Sequence, residues 1–471
     1  MTKRVAIVSS YDEECGAAYY SSRLLKHLTA AGYQVDIKRL PVSLLRMRTP
    51  TFVRRKGDGE IARIAREIAS YDTVFLQFEP GLYGTRNKIS YRRVLELLKA
   101  ARSVVMTLHG FDKRMTSRSV GGVWQNLAGG RPVEAALNLI EGGLDPIVES
   151  FWAYVRRSSH VKVMAFNRSD ETLLRRFFDL ERIANYPICY FDQDEVAEVR
   201  AATDREAFLR RYGLDPKYKY FAVCGFFSAY KGHLSAMKAL EFLPEEWRLV
   251  IVGGEHPQAI APDKDIGQYV RQLMAFPLAV DRPIPPDGDL EVRGSLAEVP
   301  KLSRFPNLSR LKQLAGETVV RSDHLYRREV REQLFPYSEF KYFFPSTEIA
   351  HRIHYLGQAT DEEMPRFYAA LDYIVHPYVK TKEGQSGSGP ATFAVEFGSR
   401  ALYSNAPVFR DMNHYFDGAM QFFNIGNFME LADQLQRFPH FEDSLSARRE
   451  AALQRYNPRG MVEAYRTLLD A

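Results

Sequence analysis

Twice along this chain, short apolar runs rich in β-branched residues alternate with segments of helical period, and this alternation constrains the fold more than any other feature. Arg4-Val5-Ala6-Ile7-Val8-Ser9 is apolar on both faces, the mark of a parallel strand covered on both sides. The loop after it carries Gly16, and a helical pattern runs from there to Ala31 before Gly32 stops it. Gln34 to Ile37, Thr73 to Phe78, Val104 to Leu108, Val161 to Phe166 and Ile183 to Ile188 continue the series, with a helix around Ile61 to Ala69 before the third run. A polar, helix-rich link from Asp192 to Lys217 leads to a second series: Tyr220 to Phe227, Arg248 to Gly254, Arg352 to Gly357 and Leu371 to Tyr378. Such alternation predicts an α/β protein with doubly wound parallel sheets and places ligand groups at the carboxyl ends of strands. Gly16, Glu79, His109 and Gly110 occupy such ends.

At 471 residues the chain exceeds what one core serves, so two domains are expected. Hydrophobic and charged fractions of 45% and 26% are those of a soluble globular protein. Cys15, Cys189 and Cys224 are an odd number of widely spaced thiols without metal-ligand spacing, which fits a reducing cytoplasm better than a disulfide framework. Met1 to Arg4 precede an apolar run too short for a signal peptide, and no apolar run is long enough to span a bilayer. The net charge of +6 is uneven: residues 1–100 hold 18 Lys plus Arg against 10 Asp plus Glu, or +8, leaving −2 for the rest. Much of the excess lies in 38–66, where Arg46, Arg48, Arg54, Arg55, Lys56, Arg63 and Arg66 interleave with Leu44, Leu45, Met47, Phe52 and Val53. This is either a patch for an anionic lipid surface or acidic acceptor, or a solvated basic loop. The excess is modest and carries no nucleic-acid-binding motif, so no nucleic acid partner is expected.

Glu383-Gly384-Gln385-Ser386-Gly387-Ser388-Gly389-Pro390 reads as a glycine-rich loop entering a helix. The unpaired N–H groups and dipole of such an end attract phosphate; the alternative is a solvated loop before an ordinary helix. Residues 114–159 read as an irregular excursion, and 255–351, rich in Pro and in charges of both signs, as an inserted helical subdomain. Thr360 and Glu363 have capping-box spacing, and the tail from Ser444 to Leu469 reads as two helices broken at Asn457-Pro458. Asp192-Gln193-Asp194 and Asp287-Gly288-Asp289 mimic metal-binding aspartate pairs but lie away from strand ends, so no metal site is expected.

Gly225-Phe226-Phe227-Ser228-Ala229-Tyr230-Lys231-Gly232-His233, Ile251-Val252-Gly253-Gly254, Ile353-His354-Tyr355-Leu356-Gly357, Ala369 to Tyr378, and Gln385 to Gly389 with Phe397-Gly398 succeed one another in an order that resembles retaining GT-B glycosyltransferases of family four. Glu14 to Tyr20, Leu76 to Gly84 and Thr107-Leu108-His109-Gly110 are similar to that family's acceptor-side loops. The resemblance implies two Rossmann-like domains facing across a cleft: 1–195 on the acceptor side, 196–443 holding the nucleotide sugar and carrying the insertion, and 444–471 returning to the first domain. It implies transfer of a sugar, with retention, from a UDP- or GDP-sugar to a glycan or lipid-linked acceptor in cell-surface polysaccharide or glycoconjugate synthesis. No cofactor, metal or dedicated protein base is implied. The enzyme would be cytoplasmic, peripheral at the inner face of the plasma membrane through 38–66. Lys231 would neutralise the diphosphate and His109 would hold the transferred sugar. Gly16, Gly225, Gly254, Leu356, Tyr378, Ser386, Gly387, Ser388 and Gly389 would line the donor site, with Glu79 and Gly110 on the acceptor side.

The chain also departs from that pattern. The family commonly carries two glutamates separated by seven residues ahead of the helix glycine; with that glycine at Gly398, Ser386 and Ala394 stand in their places. Glu396 cannot substitute, since two residues along a helix turn a side chain by about 200°. Phe226 replaces the arginine usual after the first glycine of the second domain. A catalytically decayed scaffold or binding protein, and a nucleotide-sugar epimerase, are the alternatives. Read locally, Lys231 is equally a turn lysine, His109 a strand-end cap, Glu79 a cap for neighbouring N–H groups, and Gly16 a tight-turn residue.

Overall fold

The computed structural model describes residues 3–13, 15–47, 51–110, 127, 146–254, 347–378 and 386–470. Residues 255–346 of the expected insertion, 114–126 and 128–145 of the excursion, Glu14, Arg48, Asp287 to Asp289 and Glu383 to Gln385 lie outside them.

The first apolar series forms a parallel sheet of β1 (Arg4–Ser9), β2 (Gln34–Arg39), β3 (Thr73–Phe78), β4 (Val104–Leu108), β5 (Val161–Ala165) and β6 (Ile183–Asn185), in the order β2-β1-β3-β4-β5-β6. Burial along the whole of β3, β4 and β5 accounts for runs that are apolar on both faces. The second sheet comprises β7 (Lys219–Cys224), β8 (Trp247–Val252), β9 (Ile353–Gly357), β10 (Tyr373–His376), β11 (Ala401–Ser404) and β12 (Gln421–Phe423), all parallel, in the order β12-β11-β10-β7-β8-β9. The expected class, two doubly wound Rossmann-like sheets, is the one observed.

β7 and β8 stop two to three residues short of their apolar runs. Gly225 and Gly253 follow them with φ of +113° and +153°, and a Cβ on Gly253 would lie 2.1 Å from the Gly225 carbonyl oxygen. Only glycine permits that crossing of loops. β6 is likewise shorter than expected, because from Tyr186 the chain leaves the sheet toward the second unit. Strands β11 and β12 were not anticipated.

Strand order reverses between β1 and β3 and between β7 and β10, which opens a crevice at the carboxyl edge of each sheet. Direct bonds tie the units together: Asn167 Nδ2 donates to the Ser386 carbonyl at 2.7 Å, and Ser169 Oγ to Asp411 Oδ1 at 2.6 Å. The tail is the expected helix pair, Glu442–Arg455 and Pro458–Asp470. The last helix packs on β4, β5 and β6, where the Tyr465 hydroxyl lies 2.8 Å from both the Tyr20 hydroxyl and Thr107 Oγ1. Thr360 and Glu363 make both bonds of their box at 3.2 Å. All three cysteines are buried and free, and no helix among the described residues is long and apolar enough to cross a membrane.

Candidate active site

A cleft of about 840 Å³ lies between the two crevices, within the size range of small-molecule sites. On the second unit it is walled by the loops after β7 and β10: Gly225, Tyr230, Lys231, Gly387, Gly389, Pro390 and Phe393. Lys231 ends a short turn, and its side chain, only 4% exposed, runs back beneath Gly225. The ammonium donates to the Tyr378 hydroxyl, which lies 3.0 Å from Ser388 Oγ. It sits 4.3 Å from the centroid of the Tyr378 ring and 5.2 Å from that of Tyr230. Among the described residues no carboxylate pairs with it. Two buried neighbours, His233 and His376, are held neutral by burial and by the Lys231 charge. Ring faces and one hydroxyl therefore stabilise this cation, and its charge stays uncompensated at the cleft wall.

Ser388 also caps the helix Gly389–Glu396, its Oγ accepting the Ala391 N–H at 3.4 Å. The start of that helix, with Pro390 in its first turn, faces the cleft. The loop packs closely on the linker: a Cβ on Gly387 would lie 2.7 Å from Ile188 Cδ1, and one on Gly389 2.8 Å from the Tyr190 hydroxyl, so a larger residue at either would push these side chains aside.

On the first unit the wall is Tyr11 to Glu13 with Cys15 and Gly16, together with Glu79 after β3 and His109 after β4. The helix Gly16–Ala30 begins here, capped by Cys15 Sγ, which accepts from Ala18 N–H at 3.4 Å. Glu79 caps Pro80–Tyr83 through Gly81 N–H at 3.5 Å while its carboxylate also borders the cleft. A Cβ on Gly110 would meet Glu79 Oε2 at 2.7 Å, so that glycine leaves room for the carboxylate. His109 is wedged edge-on between Tyr20 and Phe166, at 5.3 and 5.1 Å, and its Nε2 lies 2.8 Å from Gln77 Oε1. Burial in this apolar wedge lowers its pKa to about 3, so the imidazole is neutral.

The extended linker joining the units forms the back of the cleft. The Tyr190 and Phe191 N–H groups donate to Glu396 Oε1 at 2.6 and 3.4 Å, and the Tyr190 carbonyl accepts from Arg23 Nε at 2.7 Å and His27 Nε2 at 2.8 Å. Each unit thus grips the same peptide. Glu396 Oε2 has no partner among the described residues, and burial raises the carboxyl pKa to about 8 despite the two N–H donors.

Of the residues singled out from sequence, Gly16, Glu79, His109, Gly225, Lys231, Gly387 and Gly389 reach the cleft. Gly110 lies behind Glu79. Tyr378 and Ser388 stand behind Lys231 and hold it, Ser386 is buried with Oγ unpartnered, Leu356 packs against the core, and Gly254 accepts from Phe227 N–H at 2.7 Å. Past the first turn of the helix before Gly398, Phe393 faces the cleft, with Ala394 in the core and Glu396 turned to the linker. Tyr19, Tyr190, Gln358 and Asp361 also line the cleft and were not singled out. Asp192 is a helix N-cap in a capping box with Glu195, and no group of metal-ligating residues occurs among the described residues.

No protein-family model and no curated protein sequence matches the chain. Solved structures match it over its whole length. Sucrose-phosphate synthase from Thermosynechococcus elongatus is 15% identical, with 99% of each chain covered and a TM-score of 0.56. HepE from Anabaena, in complex with UDP-glucose, is 11% identical over 99% of this chain and 98% of its own, with a TM-score of 0.56. A UDP-forming α,α-trehalose-phosphate synthase from Burkholderia vietnamiensis is 11% identical over 100% and 98%, with a TM-score of 0.55. At such identities the likeness speaks to architecture, and with the two parallel sheets and the cleft between them it establishes that the chain has the GT-B fold.

Proposed function

We propose that this chain is a retaining, metal-independent glycosyltransferase that moves a sugar from a nucleoside-diphosphate donor, a UDP- or GDP-sugar, to a glycan or lipid-linked acceptor in cell-surface polysaccharide or glycoconjugate synthesis. Residues 196–443 serve as the donor domain, 1–195 as the acceptor-side domain, and 444–471 fasten the chain back to the first. The observation that carries this reading is Lys231: a buried ammonium without a carboxylate partner among the described residues, at the switch point of the second sheet and beside a helix N-terminus. Such a pair of features suits a diphosphate. The UDP-glucose bound to HepE supports the same donor class.

In the reaction the bond between the anomeric carbon and the diphosphate breaks, and Lys231 stabilises the charge that develops on the leaving oxygen. The acceptor hydroxyl attacks the same face, and its proton passes to the departing phosphate. His109, neutral and weakly basic, holds a sugar hydroxyl and does not act as the base.

Membrane association at the inner face of the plasma membrane is part of this reading. The helix Thr51–Ile68 exposes Arg54, Arg55, Lys56 and Arg66; Phe52, 61% exposed, lies under Lys56, and Met47, before the helix in the chain, is 49% exposed. Basic residues around exposed apolar side chains suit an anionic lipid surface.

The test is release of free nucleoside diphosphate, followed by coupled assay, in the presence of donor and a panel of glycan and lipid-linked acceptors. Acceptor-dependent release is expected. Tight donor binding without turnover would overturn the catalytic reading in favour of a binding protein.

A further inference from the structure

Gln77 is fully buried on β3, yet it carries a polar side chain into the floor of the first crevice. Its backbone carbonyl accepts from the Tyr83 hydroxyl at 2.8 Å, which pins the residue, and its Oε1 lies 2.8 Å from His109 Nε2. With the amide set so that Oε1 faces the ring, His109 Nε2 carries the proton, and Gln77 Nε2 is left buried without a partner among the described residues. The Tyr20 and Phe166 rings meet the imidazole edge-on at interplanar angles of 80° and 79° and fix its plane. Behind Tyr20 the Tyr465 hydroxyl, 2.8 Å away, ties this wedge to the last helix. Among the described residues His109 Nδ1 has no partner, and it is not one of the buried unpartnered atoms, so it opens on the space that His109 borders, the cleft.

We infer that Gln77 is a positioning residue that locks His109 in the Nε2–H tautomer and so presents Nδ1 to the cleft as a hydrogen-bond acceptor for a hydroxyl of the bound sugar. The identity of that hydroxyl-bearing ligand rests on the glycosyltransferase reading; the tautomer does not. The low basicity of His109 fits this role, because a neutral ring keeps the lone pair on Nδ1 across the physiological range. The contact with His109 gives the Gln77 Oε1 its partner at a strand position where an apolar residue would pack more favourably.

The experiment is long-range ¹H–¹⁵N NMR on histidine-labelled full-length protein without ligand, with His109 assigned by comparison with His109→Asn. A pyridine-type Nδ1 and a pyrrole-type Nε2 are expected, and a pyrrole-type Nδ1 would overturn the inference. Gln77→Leu should convert the signals to a tautomer mixture and lower kcat about tenfold, while affinity for the nucleoside diphosphate is unchanged. An unchanged NMR pattern in that variant would also overturn it. Should Gln77→Leu not fold, Gln77→Glu serves: the tautomer is kept and the His109 titration moves upward, and an unmoved titration counts against the assignment. Since the tautomer is read in the free protein, failure of nucleotide binding would sink the transferase reading and leave this one standing.

Discussion

Replacing Glu396 with glutamine isolates one buried carboxyl at the joint between the two units. Folded, it stays protonated up to about pH 8; an ordinary glutamate ionises near 4.5. Between those values the unfolded chain has lost this proton and the folded one keeps it, so stability falls as pH rises, by about 1.4 kcal/mol per pH unit. The whole window amounts to roughly 5 kcal/mol, and the loss is complete once pH passes the folded value. Glutamine retains an oxygen for the Tyr190 and Phe191 N–H groups and never ionises. In urea titrations from pH 5 to 9 the variant should therefore match the wild type near pH 5 and exceed it by about 3 kcal/mol near pH 7. Glu396→Ala, which leaves both N–H groups unpaired, should be weaker than Glu396→Gln at every pH by about 2–4 kcal/mol. Parallel pH profiles for the wild type and Glu396→Gln would mean that the carboxyl is already ionised in the folded protein, and the reasoning from burial would fail.

Three other perturbations probe the frame around the site. Gly232→Ala puts a Cβ 1.9 Å from the Pro377 carbonyl at a φ of +69°, so it should cost at least about 2 kcal/mol in thermal or chemical unfolding and disturb the neighbouring Lys231. Tyr465→Phe removes the hydroxyl shared with Tyr20 and Thr107 and should cost about 1–3 kcal/mol by the same measurement. Neutralising Arg54, Arg55 and Lys56 to glutamine should lower binding to anionic vesicles by about a hundredfold, at roughly 1 kcal/mol per cation, and leave the fold intact; equal binding to neutral vesicles by the wild type would remove the patch.

Sheet class and strand ends were legible because a strand buried on both faces must be apolar throughout, and a parallel connection delivers its loop to the carboxyl edge. That is why His109, Glu79 and Gly16 could be placed at the cleft from position alone, while Lys231 was reached only through the family resemblance. Strands β11 and β12 escaped because Ala401–Ser404 and Gln421–Phe423 are only four and three residues long, below the length at which a period shows. Which way a side chain at the edge of the site faces was not legible: Tyr378, at the end of an expected strand, and Ser388, in the expected loop, back Lys231 instead of lining the cleft. The pairings that define the site were further out of reach. Gln77 with His109, Tyr190 with Glu396 and Tyr20 with Tyr465 are 32, 206 and 445 residues apart, and no spacing rule links them. The reading of Glu396 as pointing away from the loop agrees with its place at the linker.

The most direct test of the central claim is a thermal-shift panel of UDP, GDP, ADP, TDP and CMP, with their sugar conjugates, on the wild type and Lys231→Ala. A nucleoside diphosphate at a hundred times its dissociation constant should stabilise the wild type by about 2.7 kcal/mol. Lys231→Ala should weaken that binding by roughly 1.5–3 kcal/mol, having lost a charge-assisted contact. A selective shift in the wild type that the variant loses is the predicted result; no shift with any nucleotide, or one indifferent to Lys231, would contradict the account.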